Sequence, residues 1–150
     1  MEYENMPGHF ARRFQQIAVA VFQAEMEALG SDITPVQYAA LSAIAALPGI
    51  DQGTLAGQIA FDRATITGVL DRLEAKDLIT RHKSQRDRRA RELIISTKGQ
   101  TVLDQIRPGV EAAQRHMTSG LSAAENSELM RLLRKAVESA NELSRAPKRT

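Results

Sequence analysis

Apolar residues recur at three- and four-residue spacing along most of the chain, the period of helices that bury one face. Phe10, Phe14, Ile17, Val21, Ala24 and Ala28 form one such stripe between Phe10 and Leu29, and Gly30-Ser31 ends it. Thr34-Pro35-Val36-Gln37 opens a second helix. Thr34 caps it, Pro35 takes the first helical position and Gln37 completes a capping box. This helix runs to about Leu47 and stops at Pro48-Gly49. Asp51 caps a short third helix reaching about Ala60, and Asp62 caps a fourth from Arg63 to Lys76. Two short helices joined by so tight a turn make a helix-turn-helix candidate. On the fourth, Ile66, Val69, Leu70 and Leu73 form the apolar face, while Ala64, Thr67, Gly68, Asp71 and Arg72 lie opposite.

The period then changes. Leu78–Lys83 and Arg91–Ser96 read as two short strands, joined by a polar, arginine-rich loop from Ser84 to Ala90. An isolated hairpin is marginal in water, so this one is expected to pack on the helices. A fifth helix follows from Lys98 to about Ser119, with Leu103, Ile106, Val110, Ala113 and Met117 on one side. Pro108-Gly109 predicts a kink within it. Ser122 and Glu125 form a capping box for the last helix, whose apolar residues are Leu129, Leu133, Ala136, Val137, Ala140 and Leu143. The tail from Pro147 to Thr150 is expected to fray. The fold class is thus mainly α with a small β-hairpin.

Composition narrows the chemistry. The 150 residues suit one compact domain, or one domain with an oligomerisation arm. Without cysteine there is no disulfide frame, thiolate nucleophile or Cys-ligated zinc, and a cytoplasmic location is the simplest fit. No apolar run is long enough to span a membrane, and Met1–Phe10 does not read as a signal peptide. With aromatics at 4%, aliphatic side chains must build the core.

The net charge of +2 argues, taken alone, against a nucleic-acid partner. Its distribution argues the reverse. Arg81, Lys83, Arg86, Arg88, Arg89 and Arg91, against Asp87 alone, place +5 within residues 81–91 and leave −3 for the remainder. A basic loop by itself is commonly only solvated. On a hairpin directly after a helix-turn-helix, it suits an arm that meets phosphates and enters the narrow, negative minor groove.

The residues here resemble those of a known family. Leu55-Ala56-Gly57-Gln58-Ile59 and the run from Thr65 to Glu74 are similar to the helix-turn-helix of MarR regulators. Asp87-Arg88-Arg89, followed by Leu93-Ile94-Ile95-Ser96-Thr97-Lys98-Gly99, resembles that family's wing signature. The resemblance covers essentially the whole chain. It implies a winged helix-turn-helix part over 33–97 and dimerisation helices over 8–30 and 98–146.

It also implies that Asp62–Lys76 is the recognition helix in the major groove, with Ala64, Thr65, Thr67, Gly68 and Arg72 meeting DNA. Arg72 is open to two readings, a DNA contact or an ion-pair partner of Asp71 or Glu74. Asp87 would brace the wing, and Arg86, Arg88 and Arg89 would face DNA, one of them in the minor groove. The family usually has Gly at the end of the recognition helix, where this chain has Asp77. Asp tolerates the left-handed backbone better than most residues.

As a MarR-like protein the chain is expected to form a homodimer, although its terminal stripes equally fit an ordinary intrachain core. A two-fold dimer implies a near-palindromic double-stranded operator. Family members commonly bind small aromatic carboxylates in the crevice between dimer helices and winged part. Here Arg13 would hold the carboxylate, with His9, Phe10 and Tyr38 beside it. Equally, Arg13 suits a surface cation, His9 a cap-region residue and Tyr38 the core. The run from Gly8 through Ala28 resembles MarR-type repressors of nicotinate catabolism, which points to 6-hydroxynicotinate or a related pyridine carboxylate as effector.

Two other classes fit less well. An enzyme would have to use His9, His82 and His116, which are scattered over three elements, and no Gly-rich phosphate loop or HExxH accompanies them. His9 and His116 meeting at a dimer interface would make a metal-responsive regulator. A pure interaction module explains the terminal helices but not the arginine-rich hairpin. No cofactor or resident metal is expected.

Overall fold

A computed structural model describes residues 2–84 and 90–149. After a 3-10 turn at Glu2–Asn5, the elements are α1 (Pro7–Ala28), α2 (Pro35–Ala46), β1 (Ile50–Asp51), α3 (Gln52–Gln58), α4 (Arg63–Ala75), β2 (Ile79–Lys83), β3 (Arg91–Ile95), α5 (Thr97–Met117) and α6 (Ala123–Ser139). The chain is mainly helical with a small antiparallel sheet, as its pattern predicts.

Local chemistry sets the boundaries. Thr34 and Gln37 form the reciprocal box that opens α2, and Ser122 with Glu125 does the same for α6. Asp51 and Asp62 each accept the backbone N–H three residues on, opening α3 and α4. Asp77 takes the left-handed conformation (φ 60°), so it stands in for the expected glycine after α4. Its own N–H donates to Glu74, and Leu78 N–H returns to Leu73.

The sheet differs from the expected hairpin. It has three strands in the order β1-β3-β2, with Ile50 opposite Leu93 and Asp51 opposite Glu92. Two residues are too few to show alternation, so β1 is invisible in the sequence. It exists because β3 would otherwise present an open edge. Gly49, at φ 86°, turns the chain onto that edge and donates its N–H to Leu93.

The core of the helix-turn-helix unit is aliphatic. Leu41, Ile44, Leu55, Ile66, Leu70, Leu73, Ile79 and Leu93 are fully buried where α2, α3, α4 and the sheet meet. α1 packs chiefly on α5 through Phe22, Met26, Leu103, Ile106 and Val110. Pro108 and Gly109, where a kink is expected, lie inside α5, which runs to Met117. Gly109 serves this pairing instead: a Cβ there would lie 2.7 Å from Leu29 Cδ1.

α6 is the exception to burial. None of its residues is buried, and Met130, Leu132, Leu133 and Val137 remain 37–66% exposed. Its apolar side faces the first turns of α1 across an open groove of about 690 Å³ bordered by Phe10, Phe14 and Ile17. The tail does not fray as expected. Residues 147–149 return to α3, where Arg149 N–H donates to the Gly57 carbonyl at 2.9 Å.

Candidate nucleic-acid interface

The second helix of the helix-turn-helix, α4, buries one side completely and leaves the other open. Ile66, Val69, Leu70 and Leu73 face the core, while Ala64, Thr65, Thr67, Asp71 and Arg72 are exposed and Gly68 is half-buried. A Cβ added at Gly68 would meet nothing within 4 Å. The glycine therefore leaves room on the outer side of the helix rather than serving internal packing.

Two of the expected DNA contacts already have partners within the chain. The Thr65 hydroxyl donates to Asp62 at 2.6 Å, and the Thr65 N–H donates to the same carboxylate at 2.9 Å. That pair of bonds, the hydroxyl first, holds the Asp62 carboxyl below its usual range and keeps the cap charged. α3 repeats the arrangement with Asp51 and Thr54. The Thr67 hydroxyl donates to the Arg63 carbonyl at 2.9 Å and accepts from Gln52 Nε2 at 2.8 Å. Thr67 thus leaves chiefly its methyl group and one lone pair unengaged on the exposed face. Gln52, at the first turn of α3, ties the two helices together at the exposed face.

Among the described residues, the ion-pair reading of Arg72 does not hold. Asp71 and Glu74 are paired with Arg81 of β2 instead: Nη2 bonds Asp71, and Nε lies 3.2 Å from Glu74 in an ion contact without hydrogen-bond geometry. The Arg81 side chain is only 16% exposed. Arg72 is exposed and forms no ion pair with a described residue. The strand thus partly neutralises the two acids of α4 and leaves Arg72 available to a partner.

Lys83 and Arg91 are directly opposed in the β2–β3 register at the outer end of the hairpin, and both are exposed. Like charges directly opposite cost stability. A surface that meets phosphates gives a reason to keep them. Arg86, Asp87, Arg88 and Arg89 lie outside the described residues, so the expected wing brace and wing-tip contacts have no geometry here.

Of the expected effector residues, His9, Phe10 and Arg13 lie near one another on α1, and Tyr38 lies apart from them within the chain. His9 packs edge-on against Tyr3 and Phe10, with ring centroids 5.4 and 5.7 Å apart. Phe10 and Arg13 border the groove between α1 and α6. Tyr38 instead packs on Phe22, at 6.3 Å. At 1.5 Å per helical residue, Phe22 lies about 18 Å along α1 from Phe10. His116 forms an ion contact with Glu25 at 3.1 Å, and no group of three or more metal-ligating side chains occurs among the described residues.

Comparison with known proteins decides what this architecture belongs to. The MarR family profile matches residues 33–90, from the start of α2 to the foot of β3. The transcriptional regulator HosA of Escherichia coli O127:H6 is 32% identical over 90% of this chain and 97% of its own length. The chain belongs to the MarR family. The HTH-type transcriptional repressor NicR of Pseudomonas putida is 30% identical over 88% of this chain and 82% of its own.

Two solved MarR-type structures are similar throughout. BpsR of Bordetella bronchiseptica, whose DNA binding is regulated by 6-hydroxynicotinic acid, superposes with a TM-score of 0.84. It is 28% identical and the match covers 89% of this chain and 94% of BpsR. A mutant of Escherichia coli MarR complexed with operator DNA superposes with a TM-score of 0.82 at 26% identity, covering 90% and 96% of the two chains. The mainly α, winged helix-turn-helix fold is therefore that of DNA-binding transcriptional regulators. No helix among the described residues is long and apolar enough to cross a membrane.

Sequence reasoning missed Arg81 and Gln52 as parts of this surface. Arg81 was visible as one charge in a basic run. Its partners could not be seen without knowing that β2 returns beside the last turns of α4.

Proposed function

We propose that the protein is a homodimeric repressor that binds a near-palindromic double-stranded operator and is released by a small aromatic acid. The observation that carries the DNA-binding part is the recognition helix itself. Its outer face is small and open at Gly68, its acids are partly neutralised by Arg81, and its Arg72 is exposed beside a basic hairpin. Ala64, Thr65, Thr67, Gly68 and Arg72 read bases and phosphates in the major groove. Arg86, Arg88 and Arg89 reach the neighbouring minor groove, with Asp87 bracing them. Residues 33–97 form the DNA-binding part, and 8–30 with 98–146 form the dimer part.

The wholly unburied α6 supports the dimer. A 17-residue helix with a continuous apolar stripe is not left facing water in a stable monomer, and a second copy of the chain has the matching stripe. The α1 segment carrying Phe10, Phe14 and Ile17 continues that surface. For the effector, BpsR and its 6-hydroxynicotinic acid support a pyridine carboxylate. Arg13 supplies the cation for its carboxylate, with Phe10 and His9 alongside. Tyr38 joins them only in a pocket completed across the subunits.

Selection of bound duplexes from a random library, with and without 6-hydroxynicotinate, nicotinate and salicylate, tests the reading. It expects an enriched near-palindrome that disappears with at least one acid. Enrichment unaffected by every acid would remove the effector while keeping the regulator. No enrichment would remove the operator reading itself.

A further inference from the structure

The chain beyond α6 is held at several points. Asn141 clamps the backbone of Lys148: its Oδ1 accepts from Lys148 N–H at 2.8 Å, and its Nδ2 donates to Lys148 C=O at 3.1 Å. Glu142 takes the Arg149 guanidinium with both oxygens, at 2.8 and 3.1 Å. Ala146 N–H donates to the Ser144 hydroxyl at 3.2 Å and shapes the turn between them. So fixed, Arg149 donates its N–H to the carbonyl of Gly57, the penultimate residue of α3. The same carbonyl also accepts from Ala60 N–H at 3.3 Å, so Arg149 takes its second acceptor position.

Gly57 is needed for that contact. A Cβ built there would stand 2.9 Å from Arg149 Cβ and 3.5 Å from its Cγ. The last residues therefore connect α6 to the first helix of the helix-turn-helix, on a route separate from the α1–α5 pairing and from the covalent entry into α5.

We propose that residues 141–149 form a strap that fixes the orientation of α3, and with it α4, relative to α6. Asn141, Glu142, Arg149 and Gly57 are then positioning residues for DNA recognition. The proposal rests on the dimer reading above, because an operator's half-site spacing reports how rigidly each recognition helix is held to the dimer helices. A charge-bearing tail whose guanidinium is already committed to Glu142 acts through geometry rather than through a phosphate contact of that arginine.

The test compares the full chain with a chain ending at Ala146, with Arg149→Ala and with Gly57→Ala. Each is checked for dimer mass by light scattering. Each is then titrated against the selected operator, against operators with one base pair added or removed between half-sites, and against a single half-site. The strap predicts intact dimers and an unchanged half-site affinity. Operator affinity should fall about fivefold to tenfold, the size of one lost ordering contact, and discrimination among spacings should narrow.

Gly57→Ala supplies a second check. In the shortened chain it should raise the melting temperature, because alanine favours the helix over glycine. In the full chain the Arg149 clash should cancel that gain. Unchanged operator affinity and spacing discrimination in the shortened chain would overturn the strap. So would an equal loss on half-site and operator, which would mark a general loss of fold. A full-length chain that is monomeric or binds no duplex would instead overturn the reading on which the strap rests.

Discussion

Arg81 offers the sharpest test of how the interface is built. Replacing it with methionine keeps much of the stem's packing and removes the cation that holds Asp71 and Glu74. Those acids are 62% and 47% exposed, so the ion pairs contribute modestly to stability, about 1 kcal/mol together after solvent screening. For a chain of this size that corresponds to a melting temperature lower by roughly 2–4 °C.

The effect on DNA binding has a different origin. Arg81→Met removes one positive charge beside two carboxylates, one helical turn apart, on the helix proposed for the major groove, so their local net charge goes from −1 to −2. At roughly 8 Å and an effective dielectric constant of about 60, each repels a phosphate by about 0.7 kcal/mol. Screening at physiological salt lowers this to about 0.25 kcal/mol per phosphate. One added uncompensated charge near about two phosphates then costs about 0.5 kcal/mol, or roughly twofold in affinity.

Fluorescence anisotropy with a labelled duplex measures this, and a non-operator duplex suffices because the repulsion does not depend on sequence. Adding Asp71→Asn and Glu74→Gln to the Arg81→Met protein removes two negative charges and should bring affinity to at least its starting level, and the mutant cycle isolates the coupling. Unchanged affinity in Arg81→Met would refute the neutralisation argument. A loss that the two amides fail to rescue would show that Arg81 touches DNA itself.

Gly68→Ala should separate stability from binding: the added methyl meets nothing in the protein and favours the helix by up to about 1 kcal/mol, so melting rises. The same methyl should weaken operator binding if the helix backbone approaches DNA there, and a variant that melts higher and binds equally well would withdraw Gly68 from the interface. Asp51→Ala should cost about 1 kcal/mol at neutral pH through the lost cap of α3, measured by urea unfolding. The Thr54 hydroxyl and N–H hold the folded Asp51 carboxyl below its unfolded value of about 3.9. Its ionic contribution is therefore complete above that value and lost as pH falls through the lower folded one. The gap between the two proteins should shrink below about pH 4, and a gap that stays constant to pH 2 would contradict the assignment.

Much of the fold could be read directly because its signals are local. Capping boxes at Thr34 and Ser122, aspartate caps at 51 and 62, and the stripe from Ile66 to Leu73 each need only a few neighbouring residues, and each recurs in the structure. The concentration of charge in the hairpin is likewise a property of the linear chain. The family likeness followed from the helix-turn-helix run and the wing motif together.

Tertiary structure decided what depends on partners distant in sequence. β1 is two residues that become a strand only because β3 has an edge to cover. Asp71 and Glu74 find Arg81, not their neighbour Arg72, because β2 passes beside the end of α4. Gly109 and Gly57 look like helix weaknesses in the sequence, yet they are the points where α1 and the returning tail come closest. Tyr38, expected beside Arg13, lies against Phe22 because the rise of α1 separates them. Short-range hydrogen bonding and periodicity thus determined the helices and their caps, while close packing between remote segments determined which charges are paired and which remain exposed.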